Sequence, residues 1–263
     1  MPAAPLTITT DSRGVATVTL DRAEKHNAFD DSLIKALADA FRQLGADDGV
    51  RAMVLAANGH SFSAGADIAW MKRMAAATES ENLRDSRALA EMLRLLHAMP
   101  KPTMALVQGA ALGGGVGLAA CCDIALAAES ATFALSEVRL GLIPSTIGPY
   151  VVAAIGARAA GRYFLTGERF GASAARALGL VHEVVPLSEL PGAGERIISA
   201  ILASGPKAVA EAKALVRVVA GHPITETLIE DTVRRIARIR SGEEAREGFD
   251  AFLAKRKPSW VRE

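Results

Sequence analysis

The stretch TMALVQGAALGGGVGLAACCDIALA, residues 103–127, decides how the chain folds. Thr103–Val107 and residues 124–127 are short apolar runs of the kind that form buried strands. Between them, residues 113–117 read GGGVG, a glycine cluster suited to the start of a short helix. The stretch therefore predicts two buried strands joined by a glycine-rich turn and a short helix.

The same pattern extends towards the N-terminus. Val15–Leu20 alternates apolar and polar residues, which predicts a strand paired with Leu6–Thr10 across a turn at 11–14. Residues 52–56 predict a buried strand followed by a loop, and apolar spacing predicts helices from Asp30 onward and over 81–99. Strand, loop, helix and strand recur about every 50 residues, which indicates parallel strands with crossover helices and an α/β fold.

The composition changes in the last third of the chain. Three helices are predicted over Pro206–Val219, 223–240 and 243–257, and the second carries Ile229, Val233 and Ile236 along one face. An apolar face on a short terminal module is often an oligomer contact. We therefore expect two parts, a core over residues 1–200 and a helical oligomerisation module over residues 201–263.

Composition and charge exclude several classes of protein. With 30 Lys and Arg against 29 Asp and Glu, the net charge of +1 leaves no excess of cations for nucleic acid. The apolar runs 102–122 and 140–157 are interrupted by glycines and prolines, which argues against membrane spans. No basic segment precedes an apolar core at the N-terminus, and the two cysteines, Cys121 and Cys122, are adjacent. We expect a cytoplasmic protein.

The glycine cluster has three interpretations. Gly115, Gly117 and Ala120 match a dinucleotide-binding fingerprint. However, about six residues separate Gly117 from the next strand, whereas a crossover with its helix needs at least about 10–12 residues. Alternatively, main-chain N–H groups here and at a second glycine turn, residues 63–67, form an oxyanion hole for a polarised carbonyl. The third interpretation is that the glycines only permit close packing.

Two other kinds of site find no support in the sequence. The five histidines, at positions 26, 60, 97, 182 and 222, share no metal-ligand spacing. A serine hydrolase of the G-x-S-x-G type is also excluded, because that motif does not occur.

Six motifs in order resemble one superfamily. They are RAEKHNAF (22–29), FSAGADIAWM (62–71), VQGAALGGGVGLAACCDIALA (107–127), FALSEVRLGLIP (133–144), YFLTGERF (163–170) and EGFDAFLAKRKPSW (247–260). Together they resemble the crotonase, or enoyl-CoA hydratase/isomerase, superfamily over nearly the whole chain. The resemblance implies a spiral core of stacked ββα turns and a C-terminal helical trimerisation module, in a homotrimer or a dimer of trimers.

The resemblance also implies the ligand and its contacts. The substrate is an acyl-CoA thioester, so coenzyme A is part of the substrate, and neither a metal nor a separate cofactor is expected. The oxyanion-hole amides correspond to Ala66 and Gly114. Contacts to coenzyme A correspond to Lys25, Ala28, Ala64, Asp67 and Ile68, and those from a neighbouring subunit to Phe252 and Lys255. Without the resemblance, Lys25 and Lys255 would be ordinary solvated charges.

The acidic residues separate the possible reactions. Two-carboxylate hydratases of this superfamily have a second acid where this chain has Gly117, so that position is vacant and Glu137 remains. Double-bond migration needs one base, which favours an isomerase, although one carboxyl can also carry both proton transfers of a hydration. The other interpretation of Glu137 is a surface ion pair with Arg139 or Arg158.

A closer resemblance favours hydration. ADIAWM, SEVRLGLIP and the run before Phe170 are most similar to bacterial methylglutaconyl-CoA hydratases, whose substrates carry a second carboxylate. Arg139, Ser145 or Thr146 would bind that carboxylate, or are ordinary polar loop residues. Trp70, Met71 and Met74 follow at helical spacing, either as a wall of the acyl pocket or as core residues.

Other activities of the superfamily fit less well. Its dehalogenases need an aspartate nucleophile where this chain has Ser145. Some members are inactive or bind RNA, but the retained Glu137 argues against the first and the charge of +1 against the second.

Overall fold

The computed structural model describes residues 4–261, and within that range the chain forms ten strands and ten α-helices. The strands are β1 (Leu6–Thr10), β2 (Val15–Leu20), β3 (Ala52–Ala57), β4 (Ser61–Ser63), β5 (Thr103–Val107), β6 (Ala110–Leu112), β7 (Ile124–Ala128), β8 (Thr132–Ala134), β9 (Arg169–Gly171) and β10 (Glu183–Val185).

The helices follow the strands along the chain. They are α1 (Asp31–Ala46), α2 (Ile68–Ala76), α3 (Glu79–Ala98), α4 (Gly114–Cys121), α5 (Gly148–Thr166), α6 (Ala172–Leu178), α7 (Leu190–Leu202), α8 (Pro206–Val219), α9 (Glu226–Arg240) and α10 (Glu243–Leu253). Single 3₁₀ turns occur at Ala23–Lys25, Glu137–Leu140 and Leu187–Glu189.

The strands form two sheets. The larger has the order β1-β2-β3-β5-β7-β10, and the smaller has the order β4-β6-β8-β9. β1 and β2 form the predicted antiparallel hairpin, and β2, β3, β5, β7 and β10 run parallel. Successive pairs β3-β4, β5-β6 and β7-β8 give one strand to each sheet, so the chain winds as a spiral. The α/β spiral inferred from the sequence is confirmed.

The larger sheet is buried on both faces. Because side chains alternate along a strand, Met53 faces the main core with Phe41 of α1 and Leu96 of α3, whereas Val54 faces the opposite side. On that opposite side Val54 packs in a second cluster with Ile198 of α7. Sheets covered on both faces are typical of parallel strands joined by helices.

The structure differs from the predictions at short elements and helix ends. β4 lies inside the segment that we predicted as a loop, and β6 lies directly before the glycine cluster. Each has three residues, too few for a hydrophobic period to show. The helix predicted over 223–240 begins at Glu226, and the one predicted over 243–257 ends at Leu253. The helix predicted over 81–99 spans Glu79–Ala98, with Thr78 as its N-cap.

The C-terminal helices contribute little to the core of one chain. Among the described residues of α8, α9 and α10, only Ala251 is buried. Ile229, Val233 and Ile236 are each about half exposed, and Phe249 and Phe252 more so. One polar anchor holds α8 to the sheet: the ammonium of the half-buried Lys213 pairs with Asp123 at 2.5 Å. The boundary predicted at residue 200 falls inside α7, and residues 262 and 263 of the predicted module lie outside the described range.

None of the described helices is both long enough and apolar enough to cross a membrane.

Candidate active site

Glu137 stands on a 3₁₀ turn that follows β8 of the smaller sheet. The turn spans Glu137–Leu140 and ends at Gly141, whose φ of 72° lies in the left-handed region that glycine adopts readily. The Leu142 N–H donates to the Glu137 carbonyl at 3.0 Å. This main-chain bond stabilises the turn from which the Glu137 side chain projects.

The Glu137 carboxyl lies against the first residues of α4. A Cβ at Gly113 would stand only 2.8 Å from Oε1 of Glu137, so a side chain at position 113 would displace the carboxyl. Gly113 has a φ of 50°, and its N–H donates to the Ala134 carbonyl at 2.9 Å. The glycine therefore brings the acid to the N-terminal end of α4.

The surroundings of Glu137 favour its protonated form. Oε2 is buried, and within residues 4–261 no group forms a hydrogen bond to it. Burial raises the pKa of the Glu137 carboxyl above its usual value, and a bond from its own main-chain N–H offsets the shift in part. The ion pairs of the described residues include none between Glu137 and Arg139 or Arg158. A carboxyl whose pKa is raised by burial is better able to take up a proton, which suits proton transfer.

The main chain of Phe29 pairs with the segment around Ala66 and leaves the Ala66 N–H out of this pairing. The Phe29 N–H donates to Gly65 at 2.7 Å, and the Phe29 carbonyl accepts from Asp67 at 2.8 Å. In this parallel bridge, the residue between the two partners, Ala66, points its own N–H to the other side. Among the described residues, no acceptor bonds the Ala66 N–H.

The same phenylalanine contacts the second amide. A Cβ at Gly114 would stand 2.8 Å from Cε2 of the Phe29 ring, so the ring packs directly on this glycine. Gly114 is the first residue of α4, whose N–H has no acceptor in its own helix. A Cβ at Gly65 would lie 2.9 Å from the Leu112 carbonyl. The two glycine turns named in the sequence therefore pack against each other, as the oxyanion-hole interpretation requires.

Asn27 holds the loop before Phe29, and the sequence reasoning did not identify it. Its side chain accepts from the Arg22 N–H and donates to the carbonyls of Asn58 and Ser61, each at 2.9 Å. The side chain is fully buried and the residue has a φ of 53°. The signal that was available is the type of residue, because asparagine enters the left-handed region more readily than most others.

The residues expected to contact coenzyme A come together beside this loop. Lys25 Nζ lies 3.6 Å from Asp67 Oδ2, and the Ala64 N–H donates to the His26 carbonyl at 2.9 Å. Ala28 is buried, and Ile68 is 68% exposed. Asp67 also caps α2 by accepting from two of its N–H groups. The lysine and the exposed isoleucine remain available to a ligand.

Phe252 and Lys255 lie in another part of the molecule. Phe252 is 80% exposed at the end of α10, and Lys255 follows it with a φ of 52°. Phe252 lines an apolar groove of about 480 Å³ with Phe249 and Trp260. Within one chain this groove does not include Glu137.

The residues expected at the acyl group differ in their surroundings. Trp70 packs in the main core, and its indole N–H donates to Asp85 at 3.1 Å. Met71 is half-buried, and Ser145 is exposed on the turn between Glu137 and α5. The core interpretation therefore holds for Trp70, whose role as a wall of the acyl pocket remains a prediction.

The space beside Gly117 is filled in the folded chain. A Cβ there would overlap Cγ2 of Ile147 and lie 3.0 Å from its Cβ. Leu93 approaches from another side, at 3.6 Å. The sequence has no second acid at this position, and in the structure the apolar side chain of Ile147 lies against it.

Other chemistry finds little support among the described residues. No group of three or more His, Cys, Asp or Glu side chains in residues 4–261 lies close enough together to hold a metal ion. Burial raises the pKa of both Cys121 and Cys122, so neither thiol is an activated nucleophile.

Comparison with known proteins places this geometry in context. The family model described as enoyl-CoA hydratase/isomerase matches residues 10–263. The crystal structure of an enoyl-CoA hydratase from Shewanella pealeana is similar, with a TM-score of 0.94 at 44% identity, over 97% of this chain and 96% of that one.

Two named relatives are similar over nearly their whole lengths. Crotonyl-CoA hydratase of Syntrophomonas wolfei is 33% identical, over 94% of this chain and 94% of that protein. The 2,3-dehydroadipyl-CoA hydratase of Escherichia coli is 30% identical over the same shares of both chains.

The raised pKa of Glu137 predicts how stability depends on pH. Above the usual value of 4.5, the unfolded chain releases this proton while the folded chain still holds it. The free energy of unfolding that Glu137 contributes is therefore full below 4.5 and falls as pH rises through the folded-state pKa. Glu137→Gln removes this dependence, so the variant should gain stability relative to the wild type as pH rises above 4.5.

Urea unfolding of both proteins across that range measures the difference. Glu168→Gln is the matched control, because the hydrogen bond from Arg162 lowers the pKa of Glu168 and the pH dependence has the opposite sign. A difference between wild type and Glu137→Gln that does not change with pH would contradict the prediction.

Proposed function

The chain belongs to the enoyl-CoA hydratase/isomerase family, and on that premise we propose that it adds water across the 2,3 double bond of an enoyl-CoA thioester. The observation that carries the proposal is the Glu137 carboxyl, held against Gly113 at the start of α4, with Oε2 buried and without a hydrogen-bond partner among residues 4–261. An acid in this setting is ready to exchange a proton with a bound substrate.

The proposed mechanism uses the two free amides and one acid. The N–H groups of Ala66 and Gly114 bind the thioester oxygen and stabilise the negative charge that develops as water attacks C3. Glu137 as the carboxylate takes a proton from that water and then gives a proton to C2. Water is consumed, the C2–C3 double bond becomes single, and Glu137 returns to its initial state.

For the acyl group we propose 3-methylglutaconyl-CoA, which carries a second carboxylate. Ser145 is exposed and Thr146 is half-buried in the segment that joins the 3₁₀ turn of Glu137 to α5. Their two hydroxyls are therefore close to Glu137 in sequence. Arg139 is also exposed, with its Nε close to Gly167. These groups are candidates for the second carboxylate, whereas coenzyme A would lie along Lys25 and Ile68.

The assembly we propose is a homotrimer or a dimer of trimers. Phe249 and Phe252 are mostly exposed on α10, and Ile236 is about half exposed on α9. Apolar surface of this extent is stabilised by a partner. In such an assembly, Phe252 and Lys255 of one subunit would reach the coenzyme A bound by its neighbour.

A second candidate function is migration of a double bond from the 3,4 to the 2,3 position. The observation that favours it is Ile147, whose side chain fills the space of a second acid at Gly117. In that reaction Glu137 alone removes a proton from C2 and returns it at C4.

A panel of three thioesters distinguishes the two functions. We expect the purified protein to give its highest kcat/KM with 3-methylglutaconyl-CoA, followed by crotonyl-CoA, with water added to each. Conversion of a 3-enoyl-CoA without hydration of either other thioester would replace the hydratase proposal with the isomerase.

Glu137→Gln tests the acid within that panel. The amide keeps the shape of the carboxyl but cannot take up a proton, so kcat should fall by about 10²–10⁴ while binding of the thioester survives. Glu168→Gln, an exposed acid paired with Arg162, should keep the wild-type rate. Wild-type turnover of Glu137→Gln on every thioester would exclude the mechanism.

Two variants at Gly114 isolate its N–H group. Gly114→Ala and Gly114→Pro both place a Cβ near the Phe29 ring, but only proline removes the donor. Proline is tolerated at the first position of a helix. The proline variant should therefore be slower than the alanine variant by about 10²–10³, the usual effect of losing one oxyanion donor. Equal kcat values for two folded variants would exclude the Gly114 amide.

The assembly is tested by light scattering at micromolar concentration. The wild type should have the mass of a trimer or hexamer, and Ile236→Asp should shift it to smaller species because it places a charge in the apolar face. Arg234→Ala, on the same helix but outside that face, is the control. Lys255→Ala should raise KM for every CoA ester. A wild-type monomer would exclude the proposed assembly.

A further inference from the structure

We propose that Ile147 is a specificity-determining residue, whose side chain keeps a second acid out of the site and leaves Glu137 as the only proton carrier. The effect of Ile147 on the reaction rests on the proposed function. Its contact with Gly117 rests only on the packing between α4 and the residue that precedes α5.

Gly117 lies one helical turn after the glycine that contacts the acid. The Gly117 N–H donates to the Gly113 carbonyl at 3.1 Å. The Cβ position of Gly113 points at the Glu137 carboxyl, whereas the Cβ position of Gly117 points at Ile147. Position 117 is therefore close to the acid along α4, on a side that Ile147 covers.

Ile147 prevents a side chain at position 117 from entering. It is 2% exposed and precedes the first residue of α5, where its carbonyl accepts from the N–H groups of Tyr150 and Val151 at 3.1 Å each. These bonds anchor its main chain, and Leu93 closes the space from the other side. The clash at 117 involves the branched Cβ and Cγ2 atoms of Ile147, which have little freedom to move aside.

The apolar filling has a chemical consequence. A carboxylate at 117 would be surrounded by Ile147 and Leu93 and would lose its solvation without gaining a partner. With Ile147 in that space, position 117 supplies no acid to activate water. Hydration then depends on Glu137, which must both activate the water and protonate C2, so we infer that Ile147 limits the hydration of simple enoyl thioesters.

A double-mutant cycle in stability tests the packing. Gly117→Ala should lower Tm by at least about 5 °C, because the added methyl overpacks the contact with Ile147. In an Ile147→Ala background the same change should cost clearly less, because the overlapping Cγ2 is gone. Equal losses of Tm in the two backgrounds would overturn the packing argument, whatever the enzyme activity.

A second set of variants tests the specificity. Gly117→Glu alone should lose stability, and Gly117→Glu with Ile147→Ala should recover it. The double variant should hydrate crotonyl-CoA at least about tenfold faster than the matched Gly117→Gln with Ile147→Ala, because only the carboxyl moves a proton. Conversion of a 3-enoyl-CoA should not rise.

The outcomes separate this inference from the proposed function. If Gly117→Glu alone is as stable and as fast as the double variant, Ile147 does not exclude an acid and the inference is overturned. If the stability coupling is found but the wild type hydrates no thioester, the hydratase proposal fails while the role of Ile147 in the packing stands.

Discussion

The site depends on one constraint: three side chains must pack directly against the main chain of glycines at the start of α4. Glu137 packs against Gly113, the Phe29 ring against Gly114 and Ile147 against Gly117, all at distances that a Cβ would prevent. Phe29 and the segment 137–147, distant in sequence, therefore meet at the first turn of one helix. A side chain at Gly113 or Gly114 would move a group that the proposed chemistry needs.

Phe29 couples the two halves of the site. Its main chain bridges Ala66, while its ring packs on Gly114, so one residue positions both amides that the proposed mechanism uses. Behind it, the buried Asn27 side chain ties the loop to two carbonyls. Polar groups in the interior are stable when they are hydrogen-bonded, and such networks hold a single arrangement. Asn27 therefore holds in place the segment that carries both Lys25, a proposed contact to coenzyme A, and Phe29, which positions the two amides.

The site combines one acid, whose Oε2 atom is buried, with apolar side chains beside Gly117. Burial raises the pKa of Glu137, and the neighbouring position at Gly117 is closed by Ile147 and Leu93. A raised pKa makes the carboxylate a better acceptor for a proton from water, which it then gives to C2 in the proposed reaction. The exposed faces of α9 and α10 lie on a different part of the chain, where we propose that a second subunit binds.

The sequence by itself determined the parallel spiral with its long strands and helices, and it named Glu137 as the candidate acid, because hydrophobic periods and the six motifs are local signals. Short strands such as β4 were not predicted, because three residues are too few to show a hydrophobic period. Only the tertiary structure decided that Phe29 unites Ala66 with Gly114 and that Ile147 fills the space at Gly117. These contacts join residues tens of positions apart, and whether a glycine marks an empty or a filled space depends on what the fold packs against it.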